Sequence, residues 1–105
     1  AVAGGITSFF EMPNTQPNTT TIDTLNNKYN IASENSIANY SFMFGGTNSN
    51  LDEILKINIK EVPAVKLFLG SSTGNMLVDD LDSLENIFSN VNIPIDRIIL
   101  LSLFY

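Results

Sequence analysis

Short runs of β-branched and aromatic residues recur along this chain about every 25 to 30 residues, with a helical pattern in each interval. No other feature constrains the fold as much. Two strands joined by so long a crossover, with a helix in it, pair in parallel and in right-handed βαβ units. The first run is Ile6 to Met12. Its apolar residues do not alternate strictly, as expected of a parallel strand covered on both faces. Asn39 to Phe44, Ala64 to Leu69 and Ile93 to Leu101 are the next three strands, the last with Pro94 at its start, where proline is tolerated.

Helices are expected between them. Ile22, Leu25, Tyr29 and Ala32 are three and four residues apart and form one face of a helix from Thr21 to about Ser33, with Thr19, Thr20 and Thr21 as cap candidates. Asn50 to Glu53 has capping-box spacing and opens a short helix to about Ile57. Asp82 to Glu85 repeats it before a helix ending near Asn90, so Asp82 reads as a cap and Asp79 and Asp80 as solvated. Tyr29, Tyr40, Phe42 and Phe44 read as core rather than as a stacking platform. Four strands and three helices are about half of a (β/α)8 barrel, and an open doubly wound sheet gives the same linear pattern. Periodicity alone does not choose between them. In either fold ligands meet the carboxyl ends of the strands, here Met12 to Thr15, Gly45 to Asn48 and Gly70 to Asn75.

The 105 residues have the size of one domain, and 44% hydrophobic with 15% charged is a composition that folds. Net charge −6, from 11 acidic and 5 basic residues, argues against nucleic-acid binding, which needs cations to neutralise phosphates. No apolar run is long enough for a membrane helix, so neither nucleic acid nor membrane is an expected partner. With no cysteine, disulfides, zinc–thiolate sites and Cys nucleophiles are excluded, and a cytoplasmic setting fits. Asp79, Asp80 and Asp82 lack the register of a calcium loop. Gly70 to Gly74 lacks the lysine and spacing of a phosphate loop.

Two side chains stand out. Asn14 lies between Pro13 and Pro17, on a loop stiffened against rearrangement, and its amide both donates and accepts hydrogen bonds. Lys66 is alone in the apolar run Ala64-Val65-Lys66-Leu67-Phe68-Leu69, where an ammonium is costly unless paired or neutralised.

The segment Gly4-Gly5-Ile6-Thr7-Ser8-Phe9-Phe10-Glu11-Met12-Pro13-Asn14-Thr15-Gln16-Pro17 resembles the Gly-Gly-x-Thr-x-x-x-(Asp/Glu)-Met-Pro-Asn-Thr-x-Pro segment of dihydroorotases, in the amidohydrolase superfamily. Val65 to Gly70 resembles the strand that carries the metal-bridging lysine in dihydroorotase-like and dihydropyrimidinase-like enzymes, and the likeness to one dihydroorotase subgroup continues to Asp80. The resemblance covers roughly residues 1 to 93. It favours the barrel: a single partial amidohydrolase domain over residues 1–105, with an atypical tail at 96–105.

The resemblance implies a function. Dihydroorotases interconvert dihydroorotate and N-carbamoyl-L-aspartate in pyrimidine biosynthesis, through a metal-bound hydroxide and an Asp that shuttles the proton. On this pattern Asn14 binds the substrate carboxylate, and Lys66, as N-carboxylysine, bridges two zinc ions. Ser71, Ser72, Thr73 and Asn75 line the site with no individual role. The chain departs from the pattern too: it has no histidine, and the sequence after Ile95 does not continue into the expected His-bearing strand. A shifted reading frame is one expectation for that tail. Ala1 in place of a methionine suggests the middle of a longer chain. No catalytic residue is assigned within these residues, and the chain alone is expected to be inactive. A small-molecule substrate is the expected partner, and the self-association of a full-length parent is left open. The alternatives are an allantoinase- or dihydropyrimidinase-like cyclic amidase, which the spacing before Asn14 disfavours, or a non-catalytic homologue serving as an assembly partner.

Overall fold

The structure is a computed structural model that describes residues 2–70 and 76–98. A short 3-10 turn at Val2–Gly4 precedes β1 (Ser8–Glu11), α1 (Ile22–Asn35), β2 (Asn39–Phe42), β3 (Phe44–Gly45), α2 (Leu51–Leu55), β4 (Val65–Phe68), α3 (Leu81–Asn90) and β5 (Ile95–Ile98). Every strand pair is parallel: β1 with β2, β3 with β4, and β4 with β5.

The strand expected at Asn39 to Phe44 is present, but it changes partners at Met43. Its first half bonds to β1, ending with the Met43 N–H on the Glu11 carbonyl at 3.0 Å. Its second half turns to β4, where the Phe44 N–H donates to the Ala64 carbonyl at 3.2 Å. The run 39–45 therefore links a two-stranded ladder to a three-stranded one, and the strand order follows the chain order without the reversal of a doubly wound sheet.

β4 is buried at all four positions, as a parallel strand covered on both faces should be. Val65 and Leu67 lie on one face, near Gly46 and Ile87 of α3, in a core that includes Leu25, Phe42, Phe44 and Ile54. Tyr29 stacks edge-on against Phe42 with ring centroids 4.8 Å apart, and its hydroxyl donates to the Glu61 carbonyl, so this aromatic group is packing.

β1 departs from expectation. Expected as a covered strand from Ile6 to Met12, it is shorter and largely exposed, with Phe10 65% accessible. The reason is its position: among the described residues β1 pairs with β2 alone, at the end of the strand order. The strand expected to reach Leu101 is described only to Ile98, and the tail beyond it lies outside the described residues.

The helix starts follow local chemistry, with two corrections. Thr21 caps α1 in a reciprocal box with Thr24. Asn50 sits at the cap of α2 but makes no side-chain bond to that helix. Its amide accepts from the Thr47 N–H at 2.7 Å and donates to the carbonyls of Thr20 and Gly45 at 2.9 and 2.8 Å. The expected partner, Glu53, instead accepts from the Ile22 N–H at 2.9 Å and caps α1. At α3 the cap is Asp80, not Asp82: the Ser83 N–H donates to Asp80 at 2.9 Å, which moves the helix start to Leu81. Asp82 is the acidic residue of the first turn. No helix among the described residues is long and apolar enough to cross a membrane.

Candidate functional site

The parallel strands point their carboxyl ends toward the loops that start α1, α2 and α3. A polar cleft of about 640 Å³ lies there, lined by Thr20, Thr21, Thr47, Asn48, Asn50 and Asp79 among others. Asn48 organises its rim. Its amide nitrogen donates to Asp79 Oδ1 at 2.8 Å, its amide oxygen accepts from the Asp80 N–H at 3.2 Å, and its carbonyl accepts from the Ser83 hydroxyl at 2.8 Å. One asparagine thus fastens the loop after β3 to the start of α3, and Asp79 and Asp80 are engaged rather than merely solvated. The Ser83 hydroxyl and N–H hold the Asp80 carboxyl below the usual carboxylate range. The sequence placed Asn48 on a ligand-facing loop but gave no signal for this fastening, which needs the sheet to set the two loops side by side.

Lys66 occupies the centre of a row that crosses three strands. Its register partners are Gly45 on β3 and Asp96 on β5. The side chain is 6% accessible, and Nζ donates to Asp96 Oδ2 at 2.5 Å. Asp96 is 45% accessible, so the pair lies at the boundary of the interior with its carboxylate toward water. The expectation of a buried lysine holds. Its partner lies in the segment that looked atypical in the sequence.

Asn14 follows the end of β1. It is exposed, and its amide makes no hydrogen bond among the described residues. The loop around it is held by other groups: the Thr19 N–H donates to the Pro13 carbonyl at 2.9 Å, and the Thr15 hydroxyl donates to the Pro17 carbonyl at 2.9 Å. Pro13 is fully buried and packs over Gly45, where an added Cβ would lie 3.1 Å from the Pro13 Cβ and 2.4 Å from Met76 Cε. Gly45 is the strand neighbour of Lys66, so the turn bearing Asn14 is seated on the sheet beside the lysine row. Neither Asn14 nor Lys66 lines the polar cleft. Ser71, Ser72, Thr73 and Asn75 lie outside the described residues.

Glu11, the acidic position of the first motif, is ion-paired with Lys28 of α1 at 2.6 Å. Lys28 also lies 5.5 Å from the centre of the Phe42 ring. This pair borders a groove of about 390 Å³ between β1 and α1, into which Phe9 and Ile31 also face.

The described residues do not by themselves complete a two-zinc centre. The chain has no histidine, no group of three or more His, Cys, Asp or Glu comes together among the described residues, and the Lys66 amine is occupied by Asp96.

Parallel strands in chain order, with polar loops gathered at their carboxyl ends, define a parallel α/β architecture. Among solved structures the chain is similar to the L-hydantoinase (dihydropyrimidinase) from Arthrobacter aurescens, with 32% identity and a TM-score of 0.72 over 81% of this chain. It spans 19% of that protein's length. No family model matches the chain, and no curated protein does.

Proposed function

We propose that this chain is a segment of a cyclic-amide hydrolase of the amidohydrolase superfamily, folded as part of a (β/α)8 barrel. The observation that carries this reading is the likeness to the hydantoinase, which combines the same fold with 32% identity over most of these residues. The chain-ordered parallel strands support the barrel, since a doubly wound sheet would reverse its order.

Within that class the Met12-Pro13-Asn14-Thr15-Gln16-Pro17 turn favours a dihydroorotase, acting on dihydroorotate and N-carbamoyl-L-aspartate in pyrimidine biosynthesis. In this reading the exposed amide of Asn14, which makes no hydrogen bond among the described residues, binds the substrate carboxylate through its donor and acceptor. Lys66 supplies one ligand, as N-carboxylysine, to a zinc centre whose other ligands come from outside these residues. The second reading is a hydantoinase or dihydropyrimidinase, favoured by the structural neighbour itself.

Substrate profiling of the full-length parent separates the two. Hydrolysis of dihydroorotate, reduced at least tenfold in kcat/KM by Asn14→Ala, supports the first reading. Turnover of hydantoins or dihydrouracil with no activity on dihydroorotate supports the second. Loss of neither ring amide would refute the hydrolase assignment.

A further inference from the structure

We infer that Asn50 is a positioning residue for the turn that bears Asn14. Its side-chain amide stands in for a strand donor beside β3 and so fixes residues 13–20 against the sheet. The inference rests on the substrate-binding role proposed for Asn14, and it names the group that holds that side chain in place.

β1 stops for want of a donor. The Met43 N–H reaches the Glu11 carbonyl at 3.0 Å, and the next rungs of this parallel ladder would join Gly45 to residues 13 and 15. Pro13 has no N–H, and its carbonyl is taken by the Thr19 N–H at 2.9 Å. The chain doubles back instead, and the Thr19 carbonyl accepts from the Gly45 N–H at 2.7 Å. The Gly45 carbonyl, on the same edge, accepts from the Asn50 amide at 2.8 Å. A backbone carbonyl and a side-chain amide thus replace the strand that ended at Glu11.

Asn50 is 8% accessible, and its whole amide is engaged. The Thr47 N–H, 2.7 Å away, can only donate, so the amide oxygen faces it. The nitrogen then faces the carbonyls of Gly45 and Thr20, at 2.8 and 2.9 Å. One side chain therefore ties the last residue of the turn to the strand beneath it. Close approach depends on Gly45: a Cβ there would lie 3.1 Å from Pro13 Cβ and 3.2 Å from Thr20 Cγ2. Both ends of the turn rest on this one residue. Asn14 makes no hydrogen bond among the described residues, so its position is set by the anchors of its turn. Without the Asn50 donors, the carbonyls of Gly45 and Thr20 lose their partner, and the turn is free to lift toward water that would supply one.

The test reads backbone amide exchange by NMR in the 105-residue chain, at Thr19 and Gly45 and at Val65, whose N–H bonds the Pro94 carbonyl beside β5. In the wild type, Thr19 and Gly45 should be protected as Val65 is. Exchange of Thr19 at the rate of an unbonded amide overturns the inference without any variant. Asn50→Ala and Asn50→Ser should each speed exchange at Thr19 and Gly45 at least about tenfold more than at Val65. Val62→Ala, a truncation in the core before β4, should speed all three alike. If the folded Asn50 variant also speeds all three alike, its role is general stability and the inference fails. The full-length parent carries the kinetic arm. There Asn50→Ala should raise KM for dihydroorotate, and adding it to Asn14→Ala should bring no further loss in kcat/KM. Losses that multiply would show that Asn50 acts independently of Asn14, which overturns the inference. A parent in which Asn14→Ala changes nothing refutes the substrate reading instead, and the exchange rates still decide whether Asn50 holds the turn.

Discussion

Glu53 of α2 accepts the Ile22 N–H at 2.9 Å, so a carboxylate at the start of one helix caps the start of another. That bond, followed by the contact with Lys56, holds the Glu53 carboxyl below the usual carboxylate range. A group depressed in the folded state stabilises fully above its unfolded value and loses that contribution as the pH falls through the folded one. Glu53→Gln should therefore lower the melting temperature at neutral pH, with the gap to wild type closing below the ordinary carboxylate range. Thermal melts across that range check this, and a gap independent of pH would contradict it. Asp80, shifted in the same direction, leaves some acid sensitivity in the variant.

Asn50 is the buried polar link between the loops that begin α1 and α2. Replacing it with Ala leaves the Thr47 N–H and the Thr20 and Gly45 carbonyls each short of a partner. Asn50→Ala should cost about 1–3 kcal/mol in a urea titration. Asn50→Asp should cost more than Asn50→Ala, since it keeps the acceptor, loses both donors and places a charge against two carbonyls. The reverse order would show that the amide is not held as described.

Thr19 is fully buried, and its hydroxyl has no partner among the described residues. Val keeps the shape and removes the unpaired oxygen. Thr19→Val should raise stability by about 1 kcal/mol, because an unsatisfied buried hydroxyl is lost rather than a hydrogen bond. A fall in the urea midpoint would mean that the hydroxyl is paired in solution.

The Lys66–Asp96 pair should respond unequally to truncation. Lys66→Met replaces a buried cation with an apolar chain and leaves a carboxylate that already reaches water, so stability should stay within about 1 kcal/mol. Asp96→Ala strands the ammonium and should cost about 2–4 kcal/mol. Equal costs would indicate that the lysine is solvated.

Periodicity made the elements of this chain legible. The spacing of Ile22, Leu25, Tyr29 and Ala32 marks α1, and the unbroken apolar run around Lys66 marks a strand covered on both faces. Local rules failed where the partner came from elsewhere. Glu53 looked like a capping-box residue for its own helix, and only the packing of α2 near the start of α1 turns it outward. Asp82 looked like a cap, yet Asp80, two residues earlier, has the extended backbone that a cap requires. Asp96 carried no signal at all. Its relation to Lys66 exists only in the register of β4 and β5. β1 looked covered because its composition is that of an interior strand, but composition does not say which neighbour is present.

Gly45 and Gly46 look in opposite directions, one beneath Pro13 and Met76, the other against Leu67 and Ile87. A single peptide unit is thus the whole partition between the turn that bears Asn14 and the helical layer. Bulk added on one side would press on the other with no cushion between them. Remodelling of the cleft mouth is therefore confined to the outer loops, where side chains can change without lifting this floor.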